Sequence, residues 1–249
     1  MTQPIFITGI GTDVGKTVIA AIVTEALQAS YWKPVQAGYD QGTDSEWIAG
    51  MISRPEGNGS DPDGRGRILP ETYKLSLAAS PHIAARQEGL EISLDQIRRQ
   101  FREWQALHAH PERDAAVQAS ALADPAPGDN FLVIEGAGGL LVPLNDREFV
   151  LDLAKALGAP LILVSRNYLG SINHSLLTAS ICKTRGLPVA GWIFNDQYGH
   201  YEEEIVQWSG IPLIGSIPFQ RDPDAGFIRE QAERIRQPLL AAISRNPGF

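Results

Sequence analysis

The chain reads as an α/β protein, with a mostly parallel central sheet flanked by helices on both faces, in one domain spanning residues 1–249. Three observations predict this. Short apolar runs (Pro4 to Thr8, Phe131 to Ile134, Pro160 to Ser165, Val189 to Phe194) alternate with amphipathic helical stretches, which is the pattern of βαβ units. The first run stops at glycines and leads into a helical pattern through Gly15-Lys16-Thr17. Finally, 249 residues suit one large α/β domain with an ample core, and no internal repeat or linker divides them.

The stretch Ile5 to Thr17 carries the clearest chemistry. A strand feeding a Gly-rich turn and then a helix gathers unpaired N–H groups and the positive end of a helix dipole around one small volume, which suits phosphate. Lys16 would reach the β and γ phosphates of a nucleotide, and the Thr17 hydroxyl would ligate Mg²⁺. Five residues separate Gly9 from Gly15, where the usual phosphate loop has about four. The loop is therefore a variant within a P-loop NTPase-like fold. An ordinary tight turn would explain the glycines but not a cation in the first helical turn.

Composition narrows the function classes. Hydrophobic residues make up 43% and charged residues 20%, ordinary for a globular protein. The formal charge of −8 disfavours a general nucleic-acid surface, which needs a clustered positive field. No run approaches about 18 uninterrupted apolar residues, so no membrane span is expected. The N-terminus enters a core strand without a basic leader, which predicts a cytoplasmic protein. The one cysteine, Cys182, lies in an apolar helical run where burial is the usual fate.

Each element then follows in order. A helix is predicted from Lys16 to about Ala29, with Ile19, Ile22, Val23 and Leu27 on one face. Tyr31-Trp32-Lys33-Pro34-Val35 reads as a second strand in which the proline holds Lys33 extended. At the end of a strand parallel to the first, Lys33 would emerge beside the phosphate loop; a solvated strand-end lysine is the plain alternative. The polar stretch Gln36 to Glu46 leads to a helix starting near Trp47, with Thr43 or Asp44 as its N-cap. Residues Arg54 to Arg67 read as a turn-rich surface excursion. Ser80-Pro81 signals a helix start, and His82 either faces the site or packs.

Ser93 to His108 repeats apolar residues at Leu94, Ile97, Phe101, Trp104 and Leu107, an amphipathic helix. His108 and His110 read as solvated loop histidines, and 111–130 carries little functional signal. Phe131 to Ile134 ends in Glu135 and then Gly136-Ala137-Gly138-Gly139. A carboxylate at a buried strand end calls for a cation, and glycines let a backbone approach phosphate. Downstream come a helix from Val150 to Leu157, a helix opening at Leu169-Gly170-Ser171-Ile172-Asn173-His174 whose N-terminus suits an anion, and the strand ending at Asn195-Asp196. Asn195 suits a purine edge or a plain turn. A short strand, Pro212 to Gly215, and a helix from Phe227 to about Ser244 close the chain.

Taken together, these stretches resemble the dethiobiotin synthetase family. The motifs fall in family order: Gly9 to Thr17 with its five-residue spacing, Lys33-Pro34-Val35, Thr43-Asp44, Ser80-Pro81-His82, Glu135 to Gly139, Gly170 to His174, Gly191-Trp192 with Asn195-Asp196, and Ile217-Pro218. The resemblance implies ATP- and Mg²⁺-dependent carboxylation and ring closure of 7,8-diaminononanoate with CO₂. It implies Lys33, Lys16 and Thr12 as catalytic residues, and Thr17, Asp44 and Glu135 as metal ligands. ATP would be held by Gly9, Asp13, Val14, Gly15, Lys16, Thr17 and Val18. Asp44, Glu135, Gly136, Ala137 and Gly138 would join them, and Asn195, Asp196, Pro218, Phe219 and Gln220 would hold the adenine side. The substrate would meet Thr12, Asp13, Lys33, Ala37 and Gly139, and Ser171, Ile172 and Asn173 from the second subunit of a homodimer. Two departures stand out: Asp13 where many members have glutamate, and Ala37 where the family usually places a hydroxyl. Within the same superfamily, a cobyrinate-type amidoligase and a ParA/MinD-like ATPase switch are the alternatives.

Overall fold

The computed structural model describes residues 3–53, 67–107, 131–196 and 198–245. The chain opens with β1 (Gln3–Gly9), α1 (Lys16–Leu27), β2 (Ser30–Trp32), β3 (Val35–Ala37), α2 (Asp44–Met51), β4 (Ile68–Leu69) and β5 (Tyr73–Leu75). It continues through α3 (Pro81–Gln87), α4 (Leu94–Leu107), β6 (Phe131–Gly139), α5 (Val150–Ala156) and β7 (Leu161–Arg166). The last elements are α6 (Ser171–Arg185), β8 (Val189–Asn195), α7 (Glu202–Ser209), β9 (Leu213–Ile217) and α8 (Ala225–Ser244).

Seven strands form one sheet in the order β4-β2-β6-β1-β7-β8-β9, with every pairing parallel. Alternation along each strand divides its side chains between two apolar layers. On β1, Phe6 joins the layer covered by α3, α4, α5 and α6, whereas Ile5 and Ile7 join the layer covered by α1, α2 and α8. Burial on both faces explains why these strands read as continuous apolar runs. From β1 the chain builds toward one edge, returns in β6, and crosses to the other side for β7, β8 and β9. The switch point at β1 leaves a crevice at the carboxyl edge, where the phosphate loop lies.

Several expectations shift in detail. The single strand foreseen over Tyr31 to Val35 is broken at Lys33-Pro34. β2 stays in the main sheet, and β3 pairs with β5 in a separate two-stranded parallel sheet. Proline has no N–H to give a ladder, and its carbonyl instead accepts from the N–H groups of Thr72 and Tyr73, both at 2.9 Å. Leu107, foreseen on the apolar face of α4, is 81% exposed among the described residues. Arg67, expected in a surface excursion, is buried. Its guanidinium donates to the carbonyls of Ala29 (2.8 Å), Thr24 (3.0 Å) and Ser53 (2.9 Å). Residues 54–66, the histidine pair His108 and His110, and the stretch 111–130 lie outside the described residues.

Candidate active site

The phosphate loop is fixed by two backbone features. Asp13 and Gly15 both have positive φ, 57° and 85°, a region that glycine enters without steric cost. A Cβ on Gly15 would also lie 1.9 Å from Asn195 Nδ2, so this position excludes any side chain. That asparagine donates from Nδ2 to the Val14 carbonyl at 3.1 Å and so braces the loop from the end of β8. Lys16 is buried, and its ammonium turns back to donate to the Gly11 carbonyl at 2.7 Å. Burial lowers its pKa to about 8, with neighbouring Lys33 adding to the effect and Glu135 and Asp13 opposing it.

Beside the loop opens a cavity of about 900 Å³. Its charged end gathers Asp13, Lys16, Thr17, Lys33, Asp44 and Glu135; Thr12, Gly15, Ala137 and Gly138 also line it. Glu135 is 1% exposed, and each of its oxygens is engaged. Oε1 accepts from Thr17 Oγ1 at 3.0 Å and from Lys33 Nζ at 3.2 Å, and Oε2 accepts from the Tyr31 hydroxyl at 2.8 Å. Burial, and then the adjacent Glu135 carboxylate, hold the Tyr31 hydroxyl well above its ordinary pKa, so it remains a donor. Lys33 is also paired with Asp44.

Asp44 is free for that pairing because Thr43 caps α2. The Thr43 hydroxyl accepts from Glu46 N–H (3.1 Å), and Glu46 reaches back to Thr43 N–H (2.9 Å), a capping box. The carboxylate of Asp44 thus turns to the cavity, and Gln36 Oε1 accepts its backbone N–H at 3.3 Å. Thr17, Asp44 and Glu135 are hard oxygen donors: the two carboxylates flank the Lys33 ammonium, and the Thr17 hydroxyl bonds Glu135. They fit Mg²⁺, which is commonly held by one or two carboxylates with substrate phosphates completing its shell. Among the described residues no group of three or more His, Cys, Asp or Glu stands ready to hold a metal alone.

Apart from Ala37, the remaining predicted residues lie around this cavity rather than in it. Val14 and Asp196 line a second concavity of about 490 Å³ with Thr12, Asp13, Arg166, Asn167, Tyr168 and Leu169. Asn195 pairs in register with Ile217, so Pro218, Phe219 and Gln220 emerge next to it. Phe219 is 59% exposed, and the Arg166 guanidinium lies 5.8 Å from its ring centre. Val18 sits in α1, half-buried against the apolar layer, and Gly136 abuts Phe6, where a Cβ would come within 2.7 Å of the ring.

A third concavity of about 310 Å³, largely apolar, is lined by Gly9, Gly139, Leu140, Leu141, Leu177 and Ile181 among others. Next to it lies the start of α6. Ser171 is buried, its hydroxyl accepting from Tyr168 N–H at 3.2 Å and its own N–H donating to the Tyr168 carbonyl at 2.9 Å. Its side chain therefore serves the loop, while Ile172 is half-buried and Asn173 and His174 are exposed. Ala37 lines the main cavity, with Gln36, Ala78, Ala79, Ser80 and Pro81 around it. Neither Tyr31 nor the wall formed by Ala78 and Ala79 stands out in sequence. Only Tyr31's position two residues before Lys33, on the same strand face, hints at its role.

Comparison with known proteins fits this geometry. A family model described as an AAA domain matches residues 3–225. The ATP-dependent dethiobiotin synthetase BioD of Cytophaga hutchinsonii is 45% identical over 201 residues, covering 81% of each chain. The protein of the same description from Christiangramia forsetii is 37% identical over 240 residues, covering 96% of this chain and 99% of its own. The chain belongs to the ATP-dependent dethiobiotin synthetase family. Among solved structures, the MinD cell division protein of Aquifex aeolicus superposes with a TM-score of 0.55 at 14% identity, covering 98% of both chains. That likeness speaks for the P-loop fold alone, and the family membership of this synthetase rests on the sequence relatives.

Proposed function

We propose that the chain is a dethiobiotin synthase: it uses ATP to carboxylate 7,8-diaminononanoate with CO₂ and close the cyclic urea, releasing ADP and phosphate in biotin synthesis. The observation that carries this is the meeting of Lys16, Lys33, Thr17, Asp44 and Glu135 around one cavity beside the phosphate loop. One substrate amine takes up CO₂ to give a carbamate, and Lys33 offsets its negative charge. A carbamate oxygen attacks the γ-phosphorus, with Lys16 and the N–H groups of the loop receiving the charge that moves to the phosphates. The second amine attacks the carbonyl carbon, phosphate leaves, and the ring closes. Thr17, Asp44 and Glu135 would hold Mg²⁺, which would supply charge neutralisation for the phosphates. Thr12, which borders all three concavities, suits contact with both nucleotide and substrate. Gly139 and Ala37 complete the substrate walls.

The adenine side is assigned to Asn195, Asp196 and Pro218 to Gln220. A homodimer is supported by Leu141, Leu169 and Leu177, which are 51%, 86% and 57% exposed around the apolar concavity and the start of α6. In such a dimer the first turn of α6, at Ile172 and Asn173, would offer N–H groups to the substrate carboxylate of the other subunit. Among the described residues no helix is long and apolar enough to cross a membrane. Use of ATP suits a cytoplasmic enzyme, and we take residues 1–249 as one domain.

The test is direct. Protein with ATP, Mg²⁺, 7,8-diaminononanoate and labelled bicarbonate yields label in an acid-stable cyclic product, and omission of the diamine abolishes phosphate release. ATP turnover indifferent to the diamine would overturn the assignment.

A further inference from the structure

Ala37, Ala78, Ala79, Ser80 and Pro81 form one stretch of the main cavity's wall. Ser80 brings the one hydroxyl to that wall among the described residues, and it is used in an unusual way. It is the N-cap of α3, where serine ordinarily accepts a hydrogen bond from a first-turn N–H and stabilises the helix. Here the side chain makes no cap hydrogen bond. The Ser80 carbonyl accepts from Ile83 N–H (2.9 Å) and Ala84 N–H (3.0 Å), while Oγ lies 3.0 Å from His82 Nδ1. His82 is half-buried and does not line the cavity. A serine of the cavity wall is thus joined through its hydroxyl to a half-buried imidazole outside that wall.

The reaction supplies a use for this arrangement. An alkyl amine has a pKa near that of lysine, about 10.4, and enters at neutral pH as an ammonium with no lone pair for CO₂. Asp44 and Glu135 pair with Lys33 in this structure, and the synthase reading gives them to Mg²⁺, so neither is left to take the ammonium proton. We propose that Ser80 and His82 form the relay that takes the proton from the substrate ammonium, an inference that rests on the synthase reading above. The N–H bond breaks with its electron pair left on nitrogen, and the proton passes to Ser80 Oγ as the serine proton passes to Nδ1. His82, entering as the Nε2–H tautomer, becomes an imidazolium and returns a proton to water. No oxidant or further reactant is needed.

Charged groups near the pair are occupied elsewhere. α3 packs on β3, which carries none, and on β5. On β5, Lys74 pairs with Glu46 (3.5 Å) and the Tyr73 hydroxyl donates to Gln96 (2.9 Å). At the C-terminal end of α3, Arg86 pairs with Asp146 (2.8 Å), and Glu88 accepts from Ser76 N–H (2.6 Å). The same cavity is also lined by Asp13, Lys16, Lys33, Asp44 and Glu135.

The experiment compares wild type, Ser80→Ala, Ser80→Thr and His82→Gln for kcat/KM toward the diamine from pH 6.5 to 9.5, with binding of a non-hydrolysable ATP analogue as control. Each value is read as a ratio to wild type, so that the pH dependence of CO₂ supply cancels. Ser80→Ala and His82→Gln should lose at least about tenfold near pH 7 and recover toward wild type above pH 9, where the free amine forms unaided. Ser80→Thr should retain activity, and analogue binding should be unchanged in all. A loss equal at every pH, or no loss, overturns the relay while leaving the synthase assignment standing. Absence of cyclic product from wild type would instead overturn that assignment.

Discussion

The two sides of the phosphate loop are built by different rules. On the Lys33 side the charges of Glu135, Lys33 and Asp44 are held by one another and by neighbours: buried Glu135 by Thr17, Lys33 and Tyr31, and half-buried Asp44 by Lys33. On the Asn195 side the groups are exposed or half-exposed, and the Arg166 guanidinium lies over the Phe219 ring. Under the proposed function, the charge that acts during bond making is preorganised in a low-dielectric pocket, where it is strongest. Recognition of a flat base needs only surface and a few polar atoms, which a strand end supplies cheaply.

Substitutions can break this contrast. The largest effect is expected for Lys33→Gln, with product formation reduced on the order of 10²–10³-fold and binding of an ATP analogue nearly intact. Equal loss of both would mean that Lys33 serves the nucleotide and that the two sides are not separable. Tyr31→Phe leaves a buried carboxylate oxygen without its donor, so chemical denaturation should register about 2 kcal/mol of lost stability together with reduced activity. Asn195→Ala removes the brace on Val14 and should raise the dissociation constant for ATP about fivefold, read by titration calorimetry. Phe219→Ala, at the exposed end, should change the KM for ATP about twofold and leave the turnover of bound substrate alone.

Cys182 on α6 supplies a reference away from both sides. Burial pushes its thiol up to about 12 from an ordinary 9.0. The folded chain therefore keeps a proton that the unfolded chain releases above pH 9, so this contribution to stability is present below pH 9 and lost as pH rises toward 12. A thiol reagent at pH 8 should leave the native protein unlabelled and modify one thiol per chain in denaturant.

Much of the sheet was legible because β1, β6, β7 and β8 are buried on both faces and so spell out apolar runs between helical patterns. The phosphate loop and the Glu135 strand end were legible because backbone geometry and charge there demand particular residue types. Lys33 was legible only in part. The proline after it marks an extended residue, yet the split into β2 and β3 depends on pairing with β5, which no local signal encodes. The capping box at Thr43 and Glu46 could be read from spacing, and it decides between two candidates by leaving Asp44 free. Tyr31 and Arg67 were opaque for a common reason. Each is a polar side chain whose partners lie far along the chain, Glu135 for one and the end of α1 for the other, and such partnerships exist only once the sheet has formed.

Arg67 also has a consequence for how the chain can change. Its guanidinium holds the Ser53 carbonyl, while Glu25 accepts from both the N–H (2.8 Å) and the hydroxyl (2.6 Å) of Ser53. Both ends of the connection between α2 and β4 are thus moored to the last turn of α1, independently of what lies between them. With its ends fixed, doubling such a connection costs only about 0.6 kcal/mol in closure entropy. The molecule carries a port where sequence can be added or exchanged without disturbing Asp44 on one side or the sheet on the other.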